Sequence, residues 1–422
     1  MLMALLACCC GLDVHKKSIT ACLLKTSASG NVNGGKDAVK VTRTFGTFTR
    51  DLQELARWLQ AEGCRHVAME STGVYWKPVY NVLEPMCEQL LLVNAQHIKH
   101  VPGRKTDMKD AEWIATVLQH GLIRGSFVPP QEIRELRELT RYRSTLVRER
   151  AAECNRIQKL LEHMNIKLAS VASDVLGKSG QAILQALCRG EEDAEELADL
   201  AKGRLRSKIP QLIGALEGYL TETTRWLLRQ QLERVAELDG SIGRVDDKVE
   251  ELCRPFEKVL AILDQIPGVN QRIAQIIIAE IGIDMSRFPS AQHLSAWAGM
   301  CPGNNESAGK KKSGKMRKGC SWLRAALVEA AWAAGHKKKG YLREQYHRLC
   351  RRRGKKRACV AVGHSILEIA YSLLRNPKPY TDLGDDYFER RDQDKLKNQL
   401  INRLQRMGYA VTIEPPRPSS AV

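Results

Sequence analysis

Gly103-Arg104-Lys105-Thr106-Asp107-Met108-Lys109-Asp110-Ala111 sets two carboxylates three residues apart where an apolar, helix-spaced run to His120 begins. On a helix Asp107 and Asp110 share one face near its N-terminal end, where the macrodipole favours anions. Upstream, Gly11-Leu12-Asp13-Val14-His15 opens one apolar segment, and His66-Val67-Ala68-Met69-Glu70-Ser71-Thr72-Gly73 ends another in a carboxylate. Four acids carried by two strand ends and a helix start suit divalent metal, because magnesium prefers carboxylate oxygens and retained water. Paired ions about 3.5–4 Å apart stabilise both the attacking and leaving oxygens of a phosphodiester displacement. Singly, Asp13 also reads as a turn acid, Glu70 as a cap, and Asp107 or Asp110 as an N-cap. Jointly, acids at the ends of apolar segments favour metal.

Around these acids the order is mixed α/β. Gly11 to Leu24 and Ala38 to Phe48 read as strands, with Asn31 to Gly35 as the loop between them. Leu52, Leu55, Ala56 and Leu59 predict a helix over Asp51 to Glu62; strands follow at Arg65 to Met69 and Gln89 to Val93, then the helix from Lys109 to His120. Pro129-Pro130 closes this domain, 1–130.

From Gln131 apolar residues recur at helical period among charges, through Leu136, Leu146, Ile157 and Leu161. Leu228, Leu232, Val235, Leu238, Ile242, Val245, Val249, Leu252, Phe256, Val259 and Leu263 continue at intervals of three and four, a coiled-coil seam. The alternative is a long amphipathic helix packed within its own chain; few aromatics are available to bury against it, so self-association is expected. The resulting divisions are a helical coiled-coil region over 131–255, a basic helical domain over 256–376 and a tail over 377–422. Ile266-Pro267-Gly268-Val269 is a tight turn resembling a helix-hairpin-helix, a motif that offers backbone N–H groups to phosphate. Helices are expected at Ser290 to Ala298, Trp322 to Ala334, Tyr341 to Arg352 and Ala358 to Leu374. A glycine- and lysine-rich loop, Gly303 to Gly319, lies among them.

At 422 residues the chain exceeds one compact core, and its net charge of +18 is concentrated. Cys301 to Val360 holds 18 Lys and Arg against Glu306, Glu329 and Glu344. Such a patch marks a polyanion partner. An anionic membrane surface would also suit it, but no continuous apolar run reaches the ~18 residues of a span. Thirteen cysteines without a Cys-x-x-Cys pair indicate free thiols in a reducing, cytoplasmic setting. Leu6-Ala7-Cys8 looks like a lipoprotein signal but lacks a basic leader; it reads as the lead-in to the first strand or an overlong start.

Four strings carry a resemblance: Gly-Leu-Asp13-Val-His-Lys-Lys, Ala-Met-Glu70-Ser-Thr-Gly-Val-Tyr75-Trp76, Lys-Thr-Asp107-Met-Lys-Asp110-Ala and Cys-Pro-Gly-Asn-Asn-Glu-Ser307-Ala-Gly-Lys. With Ile-Pro-Gly-Val and the tail from Tyr380 to Arg391, they resemble the IS110 family of transposases over nearly the whole chain. The resemblance implies a RuvC-like, ribonuclease-H-type domain with the acid set Asp13, Glu70, Asp107 and Asp110, a coiled-coil middle, and a C-terminal domain with a nucleophilic serine at Ser307. It also implies recombination of donor and target DNA guided by a structured bridge RNA. Relatives often show Ser-Ser-Gly or Ser-Gly where this chain has Ser-Ala-Gly, so Ser290, Ser295 and Ser313 stand as alternatives. Cys320 occupies a position where asparagine is usual.

The residues agree with that expectation. A serine hydroxyl needs activation by a base or metal, and Lys310, Lys311, Lys312, Lys315, Arg317 and Lys318 lie near Ser307 to stabilise phosphorane-like charge. Together with Arg351, Arg352 and Arg353 they form the expected nucleic-acid-binding set. His15 reads as a phosphate contact or base, or more commonly as a partner of the strand acid or a merely half-buried residue, and Tyr75 and Trp76 as core or base-stacking residues; none of the three joins the catalytic set. Residues and resemblance together predict a magnesium-dependent DNA recombinase, oligomeric, with DNA as partner and no membrane; the bridge RNA partner is what the resemblance implies. The rivals are a metal-dependent nuclease that needs the acids alone and a non-catalytic nucleic-acid-binding protein.

Overall fold

A computed structural model describes residues 5–26, 38–71, 73–94, 110–302, 305–307, 310–313, 316, 319–391 and 393–412. They fall into two compact units, Met1–Val128 and Pro129–Val422.

The first unit is built on a five-stranded sheet of order β3-β2-β1-β4-β5: β1 Cys8–Val14, β2 Ile19–Thr26, β3 Ala38–Phe45, β4 His66–Glu70 and β5 Gln89–Val93. β1, β2 and β3 are antiparallel neighbours, whereas β4 runs parallel to both β1 and β5. The expected single strand from Gly11 to Leu24 is instead the hairpin β1–β2, closed by His15 N–H donating to Ser18 O at 2.9 Å. Its cause is local: His15-Lys16-Lys17-Ser18 is a polar quartet that the buried strands on either side cannot absorb. The loop expected at Asn31 to Gly35 lies outside the described residues.

β1 is central and buried on both faces, which explains why its sequence runs apolar without alternation. Cys10, Leu12 and Val14 pack toward α1 (Thr49–Ala61) and α2 (Trp76–Leu83) through Leu52, Leu55, Leu59, Val79 and Leu83. Cys9 on the opposite face joins Ala68, Val93, Ala111, Ile114 and Leu118, the last three from α3 (Asp110–Gln119). α2 was not expected; its short Trp76-Lys-Pro-Val-Tyr run has too few turns for a clear helical period.

The second unit is helical. α4 (Gln131–His163) runs antiparallel to α7 (Glu222–Cys253), as the ion pairs Arg143–Asp246 and Arg150–Asp239 show. Between them in the chain, α5 (Lys178–Arg189) and α6 (Ile209–Leu216) complete a core in which Ile157, Leu161, Ile183, Leu212, Leu228 and Val235 are buried together. The heptad seam is thus filled within its own chain, at least from Leu228 to Leu238. It is also not one helix: Pro255 lies in a 3₁₀ turn, Arg254–Phe256, that ends α7 before the pattern reaches Leu263.

Then follow α8 (Glu257–Asp264), α9 (Gln271–Ile281), α10 (Ala291–Trp297), α11 (Ser321–Gly335), α12 (Tyr341–Arg353) and α13 (Lys355–Arg375). At the α8–α9 turn Gly268 has φ +89° and lies against α11, where a Cβ would stand 2.1 Å from Ala330 O. Only glycine fits that approach. α13 is the one helix among the described residues long and apolar enough to cross a membrane, but half of its apolar window is buried inside the protein. Ala358, Val362, Ile366 and Ala370 form its buried stripe, so it acts as a core helix here.

Candidate active site

Strand register brings two of the predicted acids together. In the parallel pair β1–β4, Gly11 stands opposite Ala68 and Leu12 opposite Met69, so one step further Asp13 adjoins Glu70 at the carboxyl ends of both strands. Alternation puts both acids on the face of Gly11 and Ala68, the face covered by α3. Gly11 makes this possible: a Cβ there would stand 2.3 Å from Ala111 O and 2.4 Å from Ala115 N. Cys9 Sγ donates to Ala115 O at 3.6 Å. Along β1, therefore, Cys9, Gly11 and Asp13 progress toward the N-terminal end of α3, which opens with Asp110.

Asp13 is half-buried, and its Oδ2 pairs with His15 Nε2 at 3.1 Å, consistent with His15 as a partner of the acid. Glu112, two residues past Asp110, pairs with Lys40 Nζ at 3.0 Å. Asp107 lies outside the described residues. Among the described residues no three metal-ligating side chains converge on one point. The chemistry of the set nonetheless fits a hard divalent cation, since the acids at these two strand ends and at the helix start offer only oxygen donors.

In the second unit the expected loop from Gly303 to Gly319 is a short hairpin, β6 (Asn305–Ser307) against β7 (Lys310–Ser313), with Pro302 bridged to Met316. Ser307 ends β6 in register with Lys310, while Glu306 faces Lys311. Lys310, Lys311 and Lys312 are thus on the partner strand, and Lys315, Arg317 and Lys318 lie outside the described residues. A turn-rich composition concealed the pairing, because neither strand has an apolar face to announce it.

The alternative serines differ in their surroundings. Ser290 caps α10, its Oγ accepting from His293 N–H and contacting His293 Nδ1 at 2.9 Å. Ser295 is fully buried in α10. Ser313 ends β7. Arg351, Arg352 and Arg353 are exposed in the last turn of α12, where cations also complement the helix dipole.

A family model described as "Transposase", for DEDD transposases of the IS110 type, matches residues 10–166, and a second, "Transposase IS116/IS110/IS902 family", matches residues 260–347. The chain belongs to the IS110 family of transposases. The transposase is 25% identical over 329 residues to the transposase for insertion sequence element IS1111A of Coxiella burnetii, an alignment covering 75% of this chain and 79% of that protein. A probable family 20 transposase of Pseudomonas aeruginosa is 26% identical over 63% of this chain and 70% of its own. The pilin gene-inverting protein of Moraxella bovis is 23% identical over 88% of this chain and 96% of its own. The transposase is thus an enzyme that acts on DNA. The two matched segments contain Asp13, Glu70, Asp107 and Asp110 in the first and Ser307 in the second.

Glu280 belongs to none of the sites expected from sequence. It is buried in α9, and its carboxylate gathers Arg141, Arg137 and the Cys320 thiol. The available signal was a lone carboxylate ending the run Ile276-Ile277-Ile278-Ala279, since a buried acid requires partners.

Proposed function

We propose that this transposase cuts and rejoins DNA strands with a magnesium site at Asp13, Glu70, Asp107 and Asp110 and with Ser307 as nucleophile. The observation that carries the proposal is the register of β1 and β4, which sets Asp13 beside Glu70 under the start of α3. The strand order with three antiparallel members followed by two parallel ones supports a RuvC-like, ribonuclease-H-type reading of residues 1–130. Residues 131–255 serve as the helical middle, 256–376 as the serine-bearing domain and 377–422 as the tail.

When bound, magnesium would polarise the scissile phosphate and balance its charge in the transition state. Asp13 and Glu70 hold carboxylate oxygens at a fixed spacing, and His15 orients the Asp13 carboxylate. In the strand-transfer step Ser307 Oγ bonds to phosphorus as the P–O bond to the departing sugar breaks, and the serine proton ends on that sugar oxygen. A new sugar hydroxyl then displaces the serine, so the phosphodiester is re-formed without ATP. Lys310, Lys311, Lys312, Lys315, Arg317 and Lys318 supply positive charge around this step, while Arg351, Arg352 and Arg353 hold backbone phosphates. A structured bridge RNA guides the pairing of donor and target, and the working assembly is a homo-oligomer.

Trapping on a nicked suicide substrate with magnesium, followed by digestion and mass spectrometry, tests the chemistry. A DNA-linked peptide containing Ser307 is expected. Products with free ends and no adduct would replace the recombinase with a plain nuclease.

A further inference from the structure

The turn from α11 to α12 presents an aromatic and basic surface that the chemistry above does not use. Trp332 is 57% exposed, although its neighbours Ala330, Ala331 and Ala334 are fully buried. Burying an indole is worth far more than burying an alanine methyl, so a helix that hides its alanines and shows its tryptophan has its large apolar face directed outward. The ring is not loose. His336 lies 4.3 Å from it, centroid to centroid, and donates from Nδ1 to Trp332 O at 2.7 Å. His336 in turn lies 6.0 Å from the buried Tyr346 ring of α12, which roots the pair in the core. Directly after His336 come Lys337, Lys338 and Lys339, all exposed.

A flat, exposed, anchored indole beside three cations matches the two parts of a single-stranded nucleic acid: a base to stack on the ring, and phosphates to meet the ammonium groups. Duplex DNA would use the lysines alone, because its bases are already stacked. Where strand exchange moves a strand from one duplex into pairing with another, its bases are unpaired in passing, and such a strand would present them to this surface. We propose that Trp332 with His336, Lys337, Lys338 and Lys339 forms a stacking platform for an unpaired base of the exchanging DNA strand. This role needs only a DNA-acting enzyme and is independent of Ser307 and the acid set.

The test compares binding of a twenty-nucleotide oligothymidylate, a duplex of the same length and oligouridylate to the full chain without magnesium. Trp332→Ala is expected to weaken oligothymidylate binding at least ~fivefold, the lower end for removal of one base stack, with duplex affinity changed less than about twofold. Trp332→Phe should restore most of that affinity. Changing Lys337, Lys338 and Lys339 to Gln should flatten the salt dependence on single strands by roughly 0.7 for each phosphate no longer neutralised. Photocrosslinking of iododeoxyuridine oligonucleotides should label the peptide containing Trp332. The proposal is overturned by unchanged oligothymidylate affinity in Trp332→Ala, or by an equal weakening on duplex. A weakening confined to oligouridylate would also overturn it, assigning the surface to RNA.

Discussion

Glu280 accepts both arms of the Arg141 guanidinium, Nε at 2.7 Å and Nη2 at 2.8 Å, with a side chain only 1% exposed. Arg137 Nε is 3.6 Å from the same carboxylate, and Cys320 Sγ donates to it at 3.2 Å. Cys320 also caps α11 by accepting from Leu323 N–H. Burial, followed by the neighbouring Glu280 charge, pushes the Cys320 thiol up, which keeps it a donor. Three helices therefore meet at one carboxylate directly after the hairpin that carries Ser307.

Removing one partner of a buried pair is costly because the other charge stays behind. Arg141→Ala is expected to cost on the order of 3 kcal/mol, with Arg137 limiting the effect. Cys320→Asn should be nearly neutral, since an asparagine amide donates and also caps helices well. Cys320→Ala, lacking both roles, should cost about 1 kcal/mol or more. Urea denaturation of the three variants checks the order. A wild-type midpoint for Arg141→Ala would remove the network from the account of stability.

Gly11 offers a second handle on the site. Gly11→Val places side-chain atoms where Ala111 O and Ala115 N already stand, so α3 must lift from β1 and carry Asp110 with it. DNA cleavage is expected to fall by at least ~100-fold, because small displacements of catalytic groups carry that cost. Binding of duplex DNA should remain within a few fold. Normal cleavage by Gly11→Val would mean that Asp110 does not act with Asp13.

The positions of Asp13, Glu70 and Asp110 were legible because these three stand at element boundaries that sequence marks well: apolar strands ending near Asp13 and in Glu70, a helix beginning at Asp110. The β1–β2 hairpin was not, since both strands are buried on two faces and the short His15-Lys16-Lys17-Ser18 turn lacks glycine and proline. The seam from Leu228 onward was read with the right period but the wrong extent, because spacing ignores Pro255. Nor does period reveal the partner: α4 carries its own matching stripe, including Ile157 and Leu161, so a helix in the same chain fills the seam.

That cis packing yields a direct test of self-association. Leu238, 3% exposed on α7, is part of the folded monomer's interior. Leu238→Asp is expected to destabilise the chain by about 3 kcal/mol or more, since it buries an unpaired charge. Sedimentation and denaturation should be read together. Dissociation with an unchanged unfolding midpoint would show that the seam joins two chains instead.

Thiols in the first unit give it an alkaline weakness. Burial pushes Cys9 up to about 12 and raises Cys10 and Cys64 as well. A folded-state value above the unfolded one means that the native state holds protons longer, so this stability is complete below about pH 9 and fades as pH rises toward the folded values. The melting temperature should therefore drop as pH rises from about pH 9 toward about pH 12, and Cys9→Ala with Cys10→Ala should show a smaller drop. Parallel pH dependence in wild type and variant would remove the thiols as the cause.

The acid pair can be separated from nucleic-acid binding altogether. Asp13 and Glu70 contribute carboxylates at strand ends, outside the hydrophobic contacts of β1 and β4, so Asp13→Asn and Glu70→Gln keep shape and hydrogen-bonding capacity while removing charge. Each should retain the wild-type fold and duplex affinity but lose strand cleavage by at least ~100-fold, the scale on which metal-borne stabilisation of a phosphoryl transition state operates. Chelation of divalent ions should reproduce the defect in wild type, and added magnesium should reverse it there but not in the variants. Asp107→Asn and Asp110→Asn extend the test to the α3 end of the set. If cleavage by two or more of these variants equals wild type with magnesium as the sole divalent ion, the carboxylates are structural caps and the metal must be held elsewhere.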